Sequence, residues 1–517
     1  MGDLLGIALF ALFVVYPVYW IIRDRKRRRA DHQEITLRSL EGSLERAVED
    51  DAREATALWV KYRDAFPYLT KPEPEALTGE AIRAAIKTVL REAPIFGSFG
   101  PGLPAPELPP KERLRHLYIC GKTGSGKSTL LEHLVNRDLR TGRGVGVIAP
   151  EGELFLRLLS MVPRERLEDV IYLAPGKVES HIAFNPLVLE EGEDRARAAE
   201  DLFTIFKRTL EKEMGARMEP ILQNAFAALV GREGSTFWDV RRLLTDPLFR
   251  TEVARQADPY VRSFLTETYA QFPKGAELPL LSRLDQFLRP PSVRRTLSSP
   301  RSSFSLREVL SLGKILFVDL SGLSEEARLL LGQMVLSKFG LELLRREQTE
   351  ARLSPFFLYC DEFQSFAGLS EGVWRELLSR GRKYGLALTL ANQYPAQLPT
   401  ALQAEIFGNV NSLVSFALGR KDADAVRKEL LRKSVKKDEE KIEPVSAEEL
   451  LELPVGEAVA KFAGGRAIRF SVPAPLKVGD PESARRIATS SWKRYGVSRV
   501  EEPPVLSEAV EPESFLE

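Results

Sequence analysis

Eight consecutive residues, Gly121-Lys122-Thr123-Gly124-Ser125-Gly126-Lys127-Ser128, satisfy G-x-x-x-x-G-K-[ST] at every position. Glycines let such a loop wrap until its backbone N–H groups face phosphates, and the helix that follows adds its partial positive charge. In this pattern Lys127 reaches the β- and γ-phosphates of a nucleoside triphosphate, and the Ser128 hydroxyl binds Mg²⁺. The expected nucleotide contacts therefore run from Gly121 to Ser128 and on to Thr129.

A pair of carboxylates, Asp361-Glu362, closes the apolar run Phe356–Cys360. A strand there delivers Asp361 to Mg²⁺ and sets Glu362 where it polarises an attacking water. P-loop GTPases and kinases often lack that second acid, so it points to ATP hydrolysis in a RecA-like motor. A third segment, Ser379-Arg380-Gly381-Arg382-Lys383-Tyr384-Gly385, leads into the run Leu386–Ala391, which ends in Asn392-Gln393. A polar amide at that point, Gln393, is placed to sense the γ-phosphate. The basic residues read in two ways. They form a solvated turn, or Arg382 is an arginine finger that completes a neighbouring subunit's site.

The elements that must hold these groups follow from texture. From Leu114 onward short apolar runs alternate with helical segments, the pattern of βα units and a mainly parallel sheet. Strands are expected at Leu117–Cys120, Gly146–Ile148, Val170–Leu173, Ile315–Leu320, Phe356–Cys360, Leu386–Ala391 and Leu413–Leu418. A terminal hairpin is expected at Glu457–Phe462 and Arg466–Ser471. Between about 190 and 305 the strands stop, and Leu202, Ile205, Phe206 and Leu210, then Ile221, Ala225 and Leu229, carry helical spacing. The expected fold class is α/β. A RecA-like P-loop motor domain (111–189 and 306–476) carries an inserted all-helical domain (190–305). A helical region and linker (31–110) precede it, and a Glu-, Ser- and Pro-rich mobile tail (477–517) follows.

The chain has 517 residues, too many for one compact core, with a net charge of +1 that neither favours nor excludes nucleic acid. Its two cysteines, Cys120 and Cys360, read as buried core residues that offer no metal framework. At the N-terminus Leu4–Ile22 is a run of 19 uncharged residues, about 28 Å long as a helix. Tyr16, Tyr19 and Trp20 near its end and the basic cluster Arg23–Arg29 predict a transmembrane anchor (1–30) with the bulk of the chain cytoplasmic. The expected localisation is a single-pass protein of the inner membrane.

Together HLYICGKTGSGKSTLL, GRGVGVIAPEGEL, FNPL, PFFLYCDEFQSFA and RGRKYGLALTLANQYPAQL resemble the conjugative coupling proteins of the TraD/TraG type, within the HerA/FtsK group of DNA-pumping ATPases. The resemblance runs from about Leu114 to Val472, and the DEFQ form with the strand behind it is its most specific part. It implies phosphate and Mg²⁺ roles for Lys127 and Ser128, Asp361 and Glu362 as the acidic pair, Gln393 as sensor and Arg382 as a finger acting in trans. It also implies a homo-hexameric ring that passes DNA, partnered by type IV secretion or relaxosome proteins. One departure stands out: Ala149-Pro150-Glu151-Gly152-Glu153 replaces the Asp-Pro-His-Gly-Asp-like motif of many relatives. The alternatives to DNA transfer are a secretion receptor for protein substrates and a HerA-like motor for repair or segregation.

Overall fold

The computed structural model describes residues 110–180, 182–209, 217–346, 354–367, 371–431, 445–462, 465, 467–476 and 479–497. Among the described residues nine strands form one sheet: β1 (Leu117–Cys120), β2 (Gly144–Ala149), β3 (Val170–Leu173), β4 (Ile315–Asp319), β5 (Phe356–Cys360), β6 (Leu386–Asn392), β7 (Ser412–Ser415), β8 (Glu457–Lys461) and β9 (Ala467–Ser471). Their order is β3-β4-β2-β5-β6-β1-β7-β8-β9. Every pairing from β3 across to β7 is parallel, and β8 and β9 close the edge antiparallel. Central parallel strands are buried on both faces, which is why they read as unbroken apolar runs.

Side chains alternate across the sheet, so it feeds two cores. Leu117 and Ile119 of β1 join the helices α1 (Lys127–Arg140) and α2 (Gly152–Ser160) on one face. Tyr118 and Cys120 join the other face, which holds α3 (Arg195–Thr209), α4 (Glu325–Arg345) and α5 (Glu371–Arg380). Between β3 and β4 the described chain forms helices but no strand of the sheet. The predicted face residues Leu202, Ile205, Phe206, Ile221, Ala225 and Leu229 are all buried there, while Leu210 lies outside the described residues. Phe206 stacks on Phe237 at 5.3 Å, and Phe237 meets Phe287 edge-on at 5.8 Å, so aromatic packing ties three helices of this block together. Both cysteines are free and buried. Because β6 lies between β5 and β1, the two thiols end on strands that are not neighbours.

Two expectations are corrected. The segment from Lys477, read as a mobile tail, contains the helix α6 (Pro481–Tyr495) packed on the outer edge of the sheet. Ser491 Oγ accepts from the Tyr172 N–H at 2.9 Å, and Trp492 Nε1–H donates to the Tyr172 carbonyl at 3.0 Å. The two rings stack at 5.6 Å. Side chains thus cover the free backbone of β3, which an edge strand otherwise offers to another chain. The second correction concerns localisation. Among the described residues no helix is long and apolar enough to cross a membrane. The longest segment, α4 with 21 residues, carries Glu325, Glu326, Arg328, Lys338, Glu342 and Arg345. The Leu4–Ile22 run lies outside the described residues.

One buried cluster fixes the start of the sheet. Arg113, just before β1, donates to both oxygens of Asp138 on α1 at 2.5 and 2.6 Å and to Tyr359 Oη on β5 at 2.6 Å. Such a two-pronged pair is the strong form of a charge-assisted hydrogen bond. It clamps the chain entering β1 to the helix after the phosphate loop and to the strand before Asp361.

Candidate nucleotide site

The C-terminal ends of β5, β6, β1 and β7 lie side by side, and open parallel sheets place ligands at such ends. There the sheet brings together the loop after β1, Asp361-Glu362 after β5 and Gln393 after β6. The loop is held from both sides. Gly121 N–H donates to the Gln393 carbonyl at 2.9 Å, Lys122 N–H to Ala417 O at 2.8 Å, and Gly456 N–H to Ser125 O at 2.9 Å. A Cβ on Gly121 would stand 2.4 Å from Phe416 Cβ, so a side chain there cannot be accommodated without moving β7. Gly124 and Gly126 hold φ of 75° and 115°, backbone that only glycine adopts cheaply.

Helix α1 starts at Lys127 with Gly126 as its cap, no side-chain capping bond and no acid in its first turn. Leu130 is the first residue to close a backbone bond, to Gly126 O at 3.0 Å. The earlier amides lack a partner within the helix, the standard condition for anion binding at a helix start. Ser125 Oγ is buried and has no hydrogen-bond partner among the described residues. Lys122, Thr123, Gly124 and Ser128 are exposed on the mouth of the loop, and Thr129 is half-buried.

Lys127 is buried, its Nζ donating to Gly121 O at 2.7 Å and lying 3.7 Å from Glu362 Oε1. Asp361 is buried as well. Its Oδ1 accepts from Glu362 N–H at 3.0 Å, and its own N–H donates to Ile148 O at 3.0 Å. Burial, then the neighbouring Glu362 charge and the more distant Glu151, push its carboxyl up to about 7, with Lys127 opposing. A carboxyl desolvated this way gains most from a cation. Glu362 holds φ at 44°, a strained conformation for a residue with a side chain. Gln393 is half-buried beside the loop.

Arg382 is not part of this group. It sits exposed on the turn Gly381–Tyr384 before β6, at the opposite end of the strand from Gln393. β6 has seven residues, about 23 Å at strand rise. Arg382 therefore cannot reach its own chain's loop.

Several neighbouring polar residues have roles that only the structure defines. Asn392 is fully buried, accepting from Tyr118 Oη at 2.8 Å and donating to Tyr394 O at 2.9 Å, so the amide beside Gln393 is a structural brace. Asp319 is likewise structural: it accepts from Tyr172 Oη at 2.6 Å and from Ser321 N–H at 2.9 Å. In the departing Ala149–Glu153 turn, Glu151 is exposed but close enough to act on Asp361.

His116 braces the arginine turn. Its Nδ1 accepts from Leu388 N–H at 3.1 Å and its Nε2–H donates to Leu378 O at 3.0 Å, with its backbone at φ 65°. Leu378 precedes Arg380 on α5, and a Cβ on Gly381 would lie 3.3 Å from the imidazole. Burial, and more weakly the Arg382 charge, lower the ring to about 4 against the bond to Leu378. Above the ordinary value of about 6.5 both folded and unfolded chains keep the ring neutral. As pH falls from there towards 4, only the unfolded chain takes up the proton. Stability should drop by about 3 kcal/mol across that window. Denaturant midpoints measured between pH 7 and 4 should fall accordingly, and His116→Asn should remove that part of the slope.

Residues 101–441 match the family described as the type IV secretion-system coupling protein DNA-binding domain. No protein of curated function matches the chain. Among solved structures, the bacterial conjugative coupling protein TrwBdeltaN70, unbound, is 18% identical with a TM-score of 0.52, the match covering 75% of this chain and 96% of that one. Plasmid coupling protein TrwB in complex with a non-hydrolysable ATP analogue is 20% identical with a TM-score of 0.52, covering 76% and 92%. TrwB in complex with ADP and Mg²⁺ is 19% identical with a TM-score of 0.52, covering 73% and 89%. At this identity the likeness speaks for the fold.

Proposed function

The chain belongs to the type IV secretion-system coupling protein family, and from that premise we propose that it is an ATP-driven DNA translocase serving conjugation-like transfer. The observation that carries this reading is the convergence of a phosphate-shaped loop, a buried lysine and an Asp-Glu pair at the C-terminal ends of the central strands. ATP fits the donor set: the amides at the start of α1 that have no partner within the helix, the Lys127 ammonium and the exposed Ser128 hydroxyl. Asp361, whose carboxyl is raised by burial and by the neighbouring Glu362 charge, and Ser128 would hold Mg²⁺, which would neutralise the charge developing on the phosphates.

Lys127 leaves the loop carbonyls for the phosphates. Glu362 accepts the proton of the attacking water, and Gln393, tied to Gly121 through its own carbonyl, reports whether the γ-phosphate is present. Arg382 serves the site of the next subunit in a homo-hexameric ring around DNA, since it stands at the far edge from its own loop.

ATP turnover should rise severalfold on adding single- or double-stranded DNA, with stimulation fading as salt screens phosphate contacts. If neither form of DNA changed the rate at low salt, the motor reading would be wrong.

A further inference from the structure

Both oxygens of the Glu362 carboxylate face a partner. Oε1 lies 3.7 Å from the Lys127 ammonium, and Oε2 accepts from the Gln364 amide, Nε2–H donating. The rest of this turn is equally constrained. The Glu362 N–H donates to Asp361 Oδ1 at 3.0 Å, and its carbonyl accepts from Ser365 N–H at 3.0 Å and Ser365 Oγ–H at 2.8 Å. Gln364 opens the short helix Gln364–Ala367, anchored by the buried Phe366 and Ala367. Its amide oxygen is buried and has no partner among the described residues. Among the described residues the side chain's one hydrogen bond is that to Glu362. The opposite amide orientation would set an oxygen against a carboxylate.

We propose that Gln364 is a positioning residue for hydrolysis: it pins Oε2 of Glu362, so that Oε1 alone is presented to water, and Lys127 covers Oε1 until a nucleotide draws it away. This deepens the ATPase reading above and rests on it. The physical logic is occupancy. An oxygen facing an ammonium is not free to take a proton from water, and one held by an amide is directionally fixed. Binding of phosphate removes the first constraint and leaves the second. The base is thus exposed only when there is something to hydrolyse, and it points in one direction.

The test is a set of variants of the full chain, assayed for steady-state ATP turnover and for binding of a fluorescent ATP analogue. Gln364→Met keeps the length of the side chain and removes the donor. Its kcat should fall roughly 10- to 100-fold, the scale of a small misplacement of a reacting group, while KM and analogue affinity stay at the wild-type level. In a Glu362→Gln background the same change should leave the residual rate unaltered, because Gln364 acts through Glu362. Unchanged kcat in Gln364→Met, affinity lost in step with kcat, or an equal further loss in the double variant would each overturn the proposal. Should the Met variant not fold, Gln364→Asn withdraws the amide by one methylene and is expected to give the same split. Wild-type protein that hydrolysed no ATP would fail the underlying reading and take this one with it. Normal ATPase with a silent Gln364 would sink this proposal alone.

Discussion

Glu362→Gln should lower kcat for ATP by about 10²- to 10⁴-fold, the usual share of a positioned general base, without loss of nucleotide binding. Glutamine preserves the shape and an oxygen for Lys127, but it cannot take a proton from water. It also removes the charge that, after burial, contributes most to raising Asp361. Asp361 in the variant should therefore ionise at lower pH, and Mg²⁺–ATP should bind as tightly as before or more so. Single-turnover hydrolysis beside an equilibrium titration with a fluorescent analogue separates the two quantities. Wild-type single-turnover rates in the variant would remove Glu362 from the chemistry.

The second large effect concerns Arg382. Its replacement by Ala should cost about 10³-fold or more in kcat, the scale seen when an arginine finger is lost, although the residue lies on the far side of the sheet from its own loop. That separation generates a sharper result than the loss itself. Arg382→Ala subunits keep an intact phosphate loop, and Lys127→Ala subunits keep an intact arginine. Each preparation alone should be inactive, and mixing them should restore a measurable fraction of wild-type turnover. A mixture as inactive as its parts, with each variant still assembling normally, would rule out the shared site.

Much of the fold was legible because central parallel strands leave a direct trace. Leu117–Cys120, Val170–Leu173 and Phe356–Cys360 occupy the spans that their apolar runs predict. β2 extends beyond the expected Gly146–Ile148 because Gly144 belongs to it. A Cβ at Gly144 would stand 2.4 Å from Phe356 Cδ2, so the residue that hides the strand from a hydropathy reading is the one its packing requires. α6 was missed for a different reason. Its buried Ala484, Ala488 and Ser491 are small, and Arg485, Arg486, Lys493 and Arg494 between them make the segment read as polar. In the nucleotide site, motif spacing located the loop and the acidic pair. It could not locate His116, whose partners are 262 and 272 residues away. Nor could it reveal what Gln364 touches, although the letter stood in plain view two positions after Glu362.

The seven residues of β6 run from the arginine turn at one end of the strand to Gln393 at the other. A pleated strand hydrogen-bonded on both sides does not stretch, so its two ends behave as the ends of a connecting rod. If Gln393 senses the γ-phosphate as proposed, a shift imposed on it along the strand would be passed towards Arg382. In a ring where Arg382 serves the adjoining site, each subunit would then speak to one neighbour and listen to the other. The handedness of that relay would set the order of firing before any DNA is engaged.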